Sequence, residues 1–139
     1  MFFIASDAEN ARAIRPMIGA STPTFSTSLI YSGINANPDD APLKGLRFTD
    51  IPWLIDHENP AFSAYKKAAE DLPSGETQRY FALGADAYQI LIALDQPANG
   101  AKTIKGLSGN IEISASGEIS RSLPFASFGA DGVFLESKQ

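Results

Sequence analysis

The sequence predicts an α/β fold, in which a βαβ unit forms a parallel sheet and antiparallel hairpins are added later in the chain. Three observations carry that prediction. Two short apolar runs, at residues 2–5 and 23–31, flank a segment with helical spacing. A long apolar-rich stretch at 77–95 holds the helical period over its whole length. The remainder alternates apolar and polar residues around Ser116-Gly117 and Asp131-Gly132, two turn signals of β-hairpins.

In chain order, Phe2, Phe3 and Ile4 open a buried strand. Ser6-Asp7-Ala8-Glu9 then reads as a capping box, with Ser6 accepting from the first turn and Glu9 reaching back. Ala11, Ile14 and Ile18 share one helical face, Pro16 bends or shortens the helix, and Gly19 is placed as its stop. A second strand falls within 23–31. Strand, helix and strand at this spacing make a parallel pair joined by a right-handed crossover. Residues 33–42 (GINANPDDAP) form a turn-rich loop, and residues 45–53 form the next strand. Asn59-Pro60 caps a helix whose apolar positions are Phe62, Tyr65, Ala69 and Leu72. After the Ser74-Gly75 turn comes the long helix, apolar on more than one stripe and therefore expected to pack on two sides. Gly84 within it suggests the close approach of another element. Residues 96–100 break the pattern, residues 103–107 read as a short helix, and the two hairpins follow.

At 139 residues the chain is a single α/β domain by length, or a fragment of a two-lobed one. A core strand on the first residues points to a piece of a longer protein. The composition is that of a globular domain, 44% hydrophobic and 19% charged. The net charge of −5, with no Lys/Arg cluster to displace counterions from phosphates, excludes nucleic acid as a partner. Lys66-Lys67, the one basic pair, reads as a solvated helix face. No cysteine is present, so disulfides, thiolate nucleophiles and thiolate metal sites are excluded. No apolar run reaches the roughly 20 residues of a membrane span, and the start has no basic flank of a signal peptide.

Catalytic patterns are scarce. His57 is the sole histidine, and it reads as a loop residue ahead of a helix. Leu107-Ser108-Gly109 lacks the first glycine of a nucleophile elbow. Asp39-Asp40 reads as a turn former after Asn37-Pro38. Gly106 and Gly109 are not followed by the Lys-Ser/Thr of a phosphate cradle. One histidine and no cysteine, without paired-carboxylate spacing, leave no metal site to assemble. The expectation is a protein that is not an enzyme and has no catalytic residue, metal or cofactor.

The most distinctive stretch is Gly45-Leu46-Arg47-Phe48-Thr49-Asp50-Ile51-Pro52-Trp53-Leu54-Ile55-Asp56. An apolar strand ends at Pro52, which cannot donate to a ladder, and the chain's single Trp follows at once. Bulk and carboxylates at a strand exit suit a docking surface, so Phe48, Asp50 and Trp53 are the candidate partner-binding residues. Tyr31 is a further aromatic expected to reach a surface.

Residues 45–54 resemble the "G-hydrophobic-R-F-x-D-x-P-W-L" segment of the LppC-type lipoproteins, the penicillin-binding-protein activators also called LpoA. Phe3-Ile4-Ala5 with Ala11-Arg12-Ala13-Ile14-Arg15-Pro16-Met17-Ile18 is similar to that family's first strand and helix. Arg79-Tyr80-Phe81-Ala82-Leu83-Gly84-Ala85-Asp86-Ala87-Tyr88 and Leu107-Ser108-Gly109-Asn110-Ile111 fit it as well, as they would any type I periplasmic-binding fold. Arg121-Ser122-Leu123-Pro124-Phe125-Ala126-Ser127-Phe128 completes the resemblance, which covers nearly the whole chain.

The resemblance implies part of a type I periplasmic-binding-protein fold with two α/β lobes. It also implies a place at the periplasmic face of the outer membrane, with anchoring only through a lipid outside these residues. The partner it implies is a class A penicillin-binding protein, whose peptidoglycan synthesis the family stimulates. A piece of such a domain would expose sheet edges, which a homodimer or a strand swap would cover. The alternative is a periplasmic solute-binding lobe, with Ser26-Thr27-Ser28 gripping the carboxylate of an amino-acid-like or peptide ligand. A distant third is an enzyme using His57.

Overall fold

The structure is a computed structural model and describes residues 1–56, 58–96 and 100–136. His57 and most of the expected break at 96–100 lie outside the described residues. The chain is mixed α/β and divides into two compact units. One comprises Met1–Asp50 and the segment from Pro124 onward; the other is Ile51–Leu123.

The first unit is built on a five-stranded sheet. Its strands are β1 (Phe2–Ile4), β2 (Thr24–Ser26), β3 (Arg47–Thr49), β7 (Phe125–Phe128) and β8 (Val133–Leu135), in the order β1-β2-β3-β7-β8. β1, β2 and β3 run parallel, while β7 and β8 are antiparallel to their neighbours. The expected βαβ unit is present, with α1 (Ala8–Ile14) joining β1 to β2. Its cap is one residue later than expected: Asp7, not Ser6, accepts from Asn10 N at 2.9 Å. A carboxylate is the stronger acceptor, and the shift leaves Glu9 too early in the first turn to reach back. Pro16 shortens the helix as its missing N–H requires, and a 3-10 turn over Arg15–Met17 follows. Ile18 ends that turn in extended backbone, so Gly19 is not needed as a left-handed stop.

The expected loop at 33–42 contains a 3-10 helix, Pro38–Leu43, capped by Asn37. It is tied to α1 by Arg12, whose Nη2 lies 2.7 Å from Asp40 Oδ1. Gly45 turns the chain into β3 with a φ of +78°, a conformation that disfavours a side chain. The buried face of the sheet carries Ile4, Phe48, Ala126 and Phe128, with Ile30, Tyr31, Leu43 and Leu46 packed against them.

The second unit begins as β3 ends. Residues 45–53 do not continue as one strand, because Pro52 starts a helical turn, α2 (Pro52–Ile55), at its favoured first position. Asn59 caps the next segment as expected, accepting from Ala61 N at 3.0 Å. That segment is broken into 3-10 turns on either side of α3 (Ser63–Lys66) rather than forming one helix. The long helix α4 (Gly75–Asp95) carries the capping box, formed reciprocally by Ser74 and Thr77. Residues 102–105 are not helical. They form β4 (Lys102–Lys105), which pairs antiparallel with β5 (Asn110–Ile113), itself paired with β6 (Ile119–Ser122) across the expected turn at Gly117. Thr103 and Ile104 are β-branched and find a ladder there.

Candidate interaction surfaces

Phe48, Asp50 and Trp53 do not form a surface. All three are buried, at 0%, 1% and 8% exposure. Phe48 sits among Tyr31 and Phe128, its ring centroid 5.5 and 5.0 Å from theirs, and Tyr31 is buried with it. Strand alternation explains the result: Phe48 shares the inward face of the sheet with its register partners Ser26 and Ala126. Trp53 anchors the second unit instead. Its ring packs 5.9 Å from Phe62 and 5.8 Å from Phe81, its indole N–H donates to Gln78 Oε1 at 3.1 Å, and its backbone N–H donates to Leu107 O. Aromatic bulk beside a strand exit is here the nucleus of a core.

The sheet's opposite face is the accessible one. Register places Phe3, Phe25, Arg47, Ser127 and Phe134 side by side in a row across all five strands. Phe3 and Phe134 are more than half exposed, as are Phe2 and Met1 at the edge. The Arg47 guanidinium lies 5.2 Å from the Phe25 ring centroid and 5.4 Å from that of Phe125, within cation–π range. Its Nε donates to Glu136 Oε1 at 2.7 Å, its Nη2 pairs with Glu136 Oε2, and Ser127 Oγ donates to the same carboxylate. Hydrogen bonding from Arg47 holds Glu136 below the usual glutamate range, against the opposing pull of partial burial. The same bond raises Arg47 further above its already high value. Sequence reading placed Arg47 in its key stretch without giving it a role; a single cation between aromatics on one β face is the signal that marks it.

In the second unit a polar group that sequence reasoning left without a role organises the turn. Asp86 is 3% exposed and accepts from the backbone N–H of Leu107 at 2.9 Å and of Ser108 at 2.6 Å. A side chain at Gly106 would collide with this carboxylate, so the glycine is required by close approach. The Gly84-Ala85-Asp86-Ala87-Tyr88 segment was visible as a motif, but its acceptor role needs the folded turn. Among the described residues nothing lies within 4 Å of where a side chain at Gly84 would begin, so none of them makes the expected close approach. Nor is α4 packed on two sides: its buried residues are Gly75, Ala82 and Asp86, while Tyr80, Leu83, Tyr88, Leu91 and Leu94 are exposed.

For a small ligand the first unit offers a cavity of about 110 Å³ beside Asn37, Asp40 and the 128–133 segment. Of the two aspartates that line it, Asp40 is already paired with Arg12, and Asp131 is the other. Ser26 Oγ donates internally to Ile4 O at 2.7 Å, whereas Thr27 Oγ1 is enclosed without a hydrogen-bond partner. Among the described residues, no three His, Cys, Asp or Glu side chains group to hold a metal ion.

A family model described as "LppC putative lipoprotein" matches residues 1–131. The penicillin-binding protein activator LpoA of Photobacterium profundum is 32% identical over 102 residues, 71% of this chain and 16% of the relative. Among solved structures, the LpoA C-domain from Haemophilus influenzae, described as a regulator of PBP1A, aligns with a TM-score of 0.70 at 16% identity. That match covers 97% of this chain and 44% of the C-domain. A protein from Chromobacterium violaceum, titled "putative branched-chain amino acid ABC transporter", aligns with a TM-score of 0.70 at 25% identity, over 87% of this chain and 39% of its own.

Proposed function

This chain belongs to the LppC family, and on that premise we propose that it is a non-enzymatic regulator of peptidoglycan synthesis that binds and activates a class A penicillin-binding protein. The family match over nearly the whole chain is the observation that carries the reading, and the activator names of its relatives give it direction. The module works at the periplasmic face of the outer membrane, held by a lipid anchor outside these residues. It acts by docking: binding one conformation of the synthase more tightly than another shifts the synthase toward that conformation. With Phe48, Asp50 and Trp53 inside the units, their part in docking is to shape the surface rather than to touch the partner.

The test is binding of the purified chain, and of the longest natural protein that contains it, to the periplasmic part of a class A synthase from the same cell, with synthase activity followed alongside. Binding with stimulation is expected. Failure of both forms to bind would overturn the reading. The alternative, a solute-binding lobe, draws on the likeness to the transporter-type protein and on the unpartnered Thr27 hydroxyl. It predicts a rise in melting temperature with added amino acid and none with the synthase.

A further inference from the structure

The cavity of the first unit lies between the start of the Pro38–Leu43 helix and the turn that joins β7 to β8, and it measures about 110 Å³. Asn35 ties its two walls together: Oδ1 accepts from Ala36 N at 3.0 Å and from Val133 N at 2.8 Å. Ala36 holds a φ of +54°, a left-handed conformation that a side chain disfavours, so the fold imposes this wall against local preference.

The polar groups on the cavity wall are chiefly acceptors. Asp40 is 8% exposed, and Arg12 directs both Nε and Nη2 to the same oxygen, Oδ1, at 3.0 and 2.7 Å. Among the described residues none donates to its other oxygen, Oδ2. A nearly buried carboxylate oxygen without a donor is costly unless something fills the role. Asp131 lines the same cavity from the exposed turn and has no ion-pair partner among the described residues. The backbone N–H groups of Ala36, Phe128, Gly129 and Val133 already donate elsewhere, which leaves them nothing for an anion. Two carboxylates against one guanidinium leave one negative charge, which a single cation cancels.

We propose that this cavity binds a primary alkylammonium group, whose N–H donors go to Asp40 Oδ2 and to the Asp131 carboxylate. Pro38, Ala41, Phe128 and Val133 supply apolar wall for its first carbons. A metal ion fits less well, because hard cations take about six oxygen ligands and no three His, Cys, Asp or Glu side chains group to hold one among the described residues. A guanidinium fork matches both oxygens of one carboxylate, whereas Asp40 offers one; a compact ammonium needs only that. The size agrees. A cavity of roughly 150 Å³ takes benzene, so this one takes about four to five heavy atoms, the length of butylammonium.

Calorimetric titration of butylammonium chloride into the longest natural protein that contains the chain tests the site, with amide chemical shifts of the chain locating it. Saturable binding in the millimolar range is expected, with shifts centred on Asp40, Ala41 and residues 129–133. Butan-1-ol, which keeps the stem and loses the charge, should not saturate, and neither should calcium chloride. Asp131→Asn should weaken binding about tenfold or more at an unchanged melting temperature, since Asp131 has no partner to lose. Asp39→Asn alters an exposed acid that does not line the cavity and should leave binding within about twofold. A free amine and a lysine side chain carry the same head group. Titration with Nα-acetyl-lysinamide beside butylammonium separates them: saturation by either supports the site, and the tighter identifies the source. Absence of saturation by both in the natural protein would overturn the proposal. So would equal binding of butan-1-ol, saturation by calcium, or an Asp131→Asn variant that binds no more weakly than Asp39→Asn. None of these outcomes depends on synthase binding, so this proposal and the proposed function fail separately.

Discussion

The two units hold themselves together by different means. The first closes on an apolar cluster, Tyr31, Phe48 and Phe128, with ring centroids 5.0 to 6.2 Å apart beneath the five-stranded sheet. The second closes its 106–109 turn on one buried carboxylate, Asp86, which gathers two backbone N–H groups against helix α4. An apolar cluster draws on many small contacts and tolerates gradual change. A buried acceptor serves specific donors, and its removal leaves those donors unpaired. The difference teaches where each unit is vulnerable: in volume for the first, in hydrogen bonding for the second.

The largest effect should come from emptying the apolar cluster. Phe48→Ala removes a fully buried ring at the middle of the sheet and should destabilise by about 3–5 kcal/mol. Amide hydrogen exchange separates the units: protection should fall across β2, β3 and β7, with a smaller change at Leu107 and Ser108. Equal loss in both units would show that they unfold as one and would erase the contrast.

The contrast does not track what was legible in the sequence. The apolar cluster was not readable: Phe48 and Tyr31 were expected at a surface, because alternation shows which residues share a face of the sheet and not which face is covered. The βαβ unit, the Asn59-Pro60 cap and both hairpin turns were readable, each being a local pattern with a local cause. Three further features were not. KTIK at 102–105 is short and flanked by lysines, and only its pairing with β5 makes it a strand. The cap at Asp7 rather than Ser6 is a one-residue choice between two good acceptors. The outward face of α4 carries as much apolar bulk as a buried one. Periodicity reports which residues are apolar, not whether a neighbour exists to cover them. Trp53 shows the same limit from the other side, because its place depends on Phe62, Phe81 and Gln78, all distant in sequence.

A smaller effect should follow from altering Asp86 while keeping its shape. Asp86→Asn exchanges one acceptor oxygen for an NH₂ group, so either Leu107 N–H or Ser108 N–H loses its partner. The cost should be about 1–3 kcal/mol. It should appear as faster exchange at Leu107 and Ser108, with β3 and β7 unchanged. An unaltered exchange rate at both amides would mean that the turn is held by its backbone bonds, Gly106 N–H to Gly109 O and Trp53 N–H to Leu107 O, without need of the carboxylate.

The smallest effect belongs to the open face of the first unit, where Arg47 and Glu136 pair in partial contact with solvent. Exposed pairs are weakened by salt and contribute little, so Glu136→Gln should lower the melting temperature slightly, and less at high ionic strength. Its pH dependence has a definite sign. Glu136 titrates lower in the folded chain than when unfolded, because the Arg47 hydrogen bond favours its charged form. The unfolded state therefore binds the proton first as pH falls. The pair's contribution is complete above the ordinary glutamate range and fades as pH drops through the folded-state value. The melting difference between the unmodified chain and Glu136→Gln should thus hold constant from neutral pH to mild acid, then close in strong acid. A difference that persists there would mean that Glu136 acts through its contact with Ser127 and its packing rather than its charge. The open face would then resemble the buried face, held by contact alone, and the distinction between the two sides of the sheet would rest only on exposure.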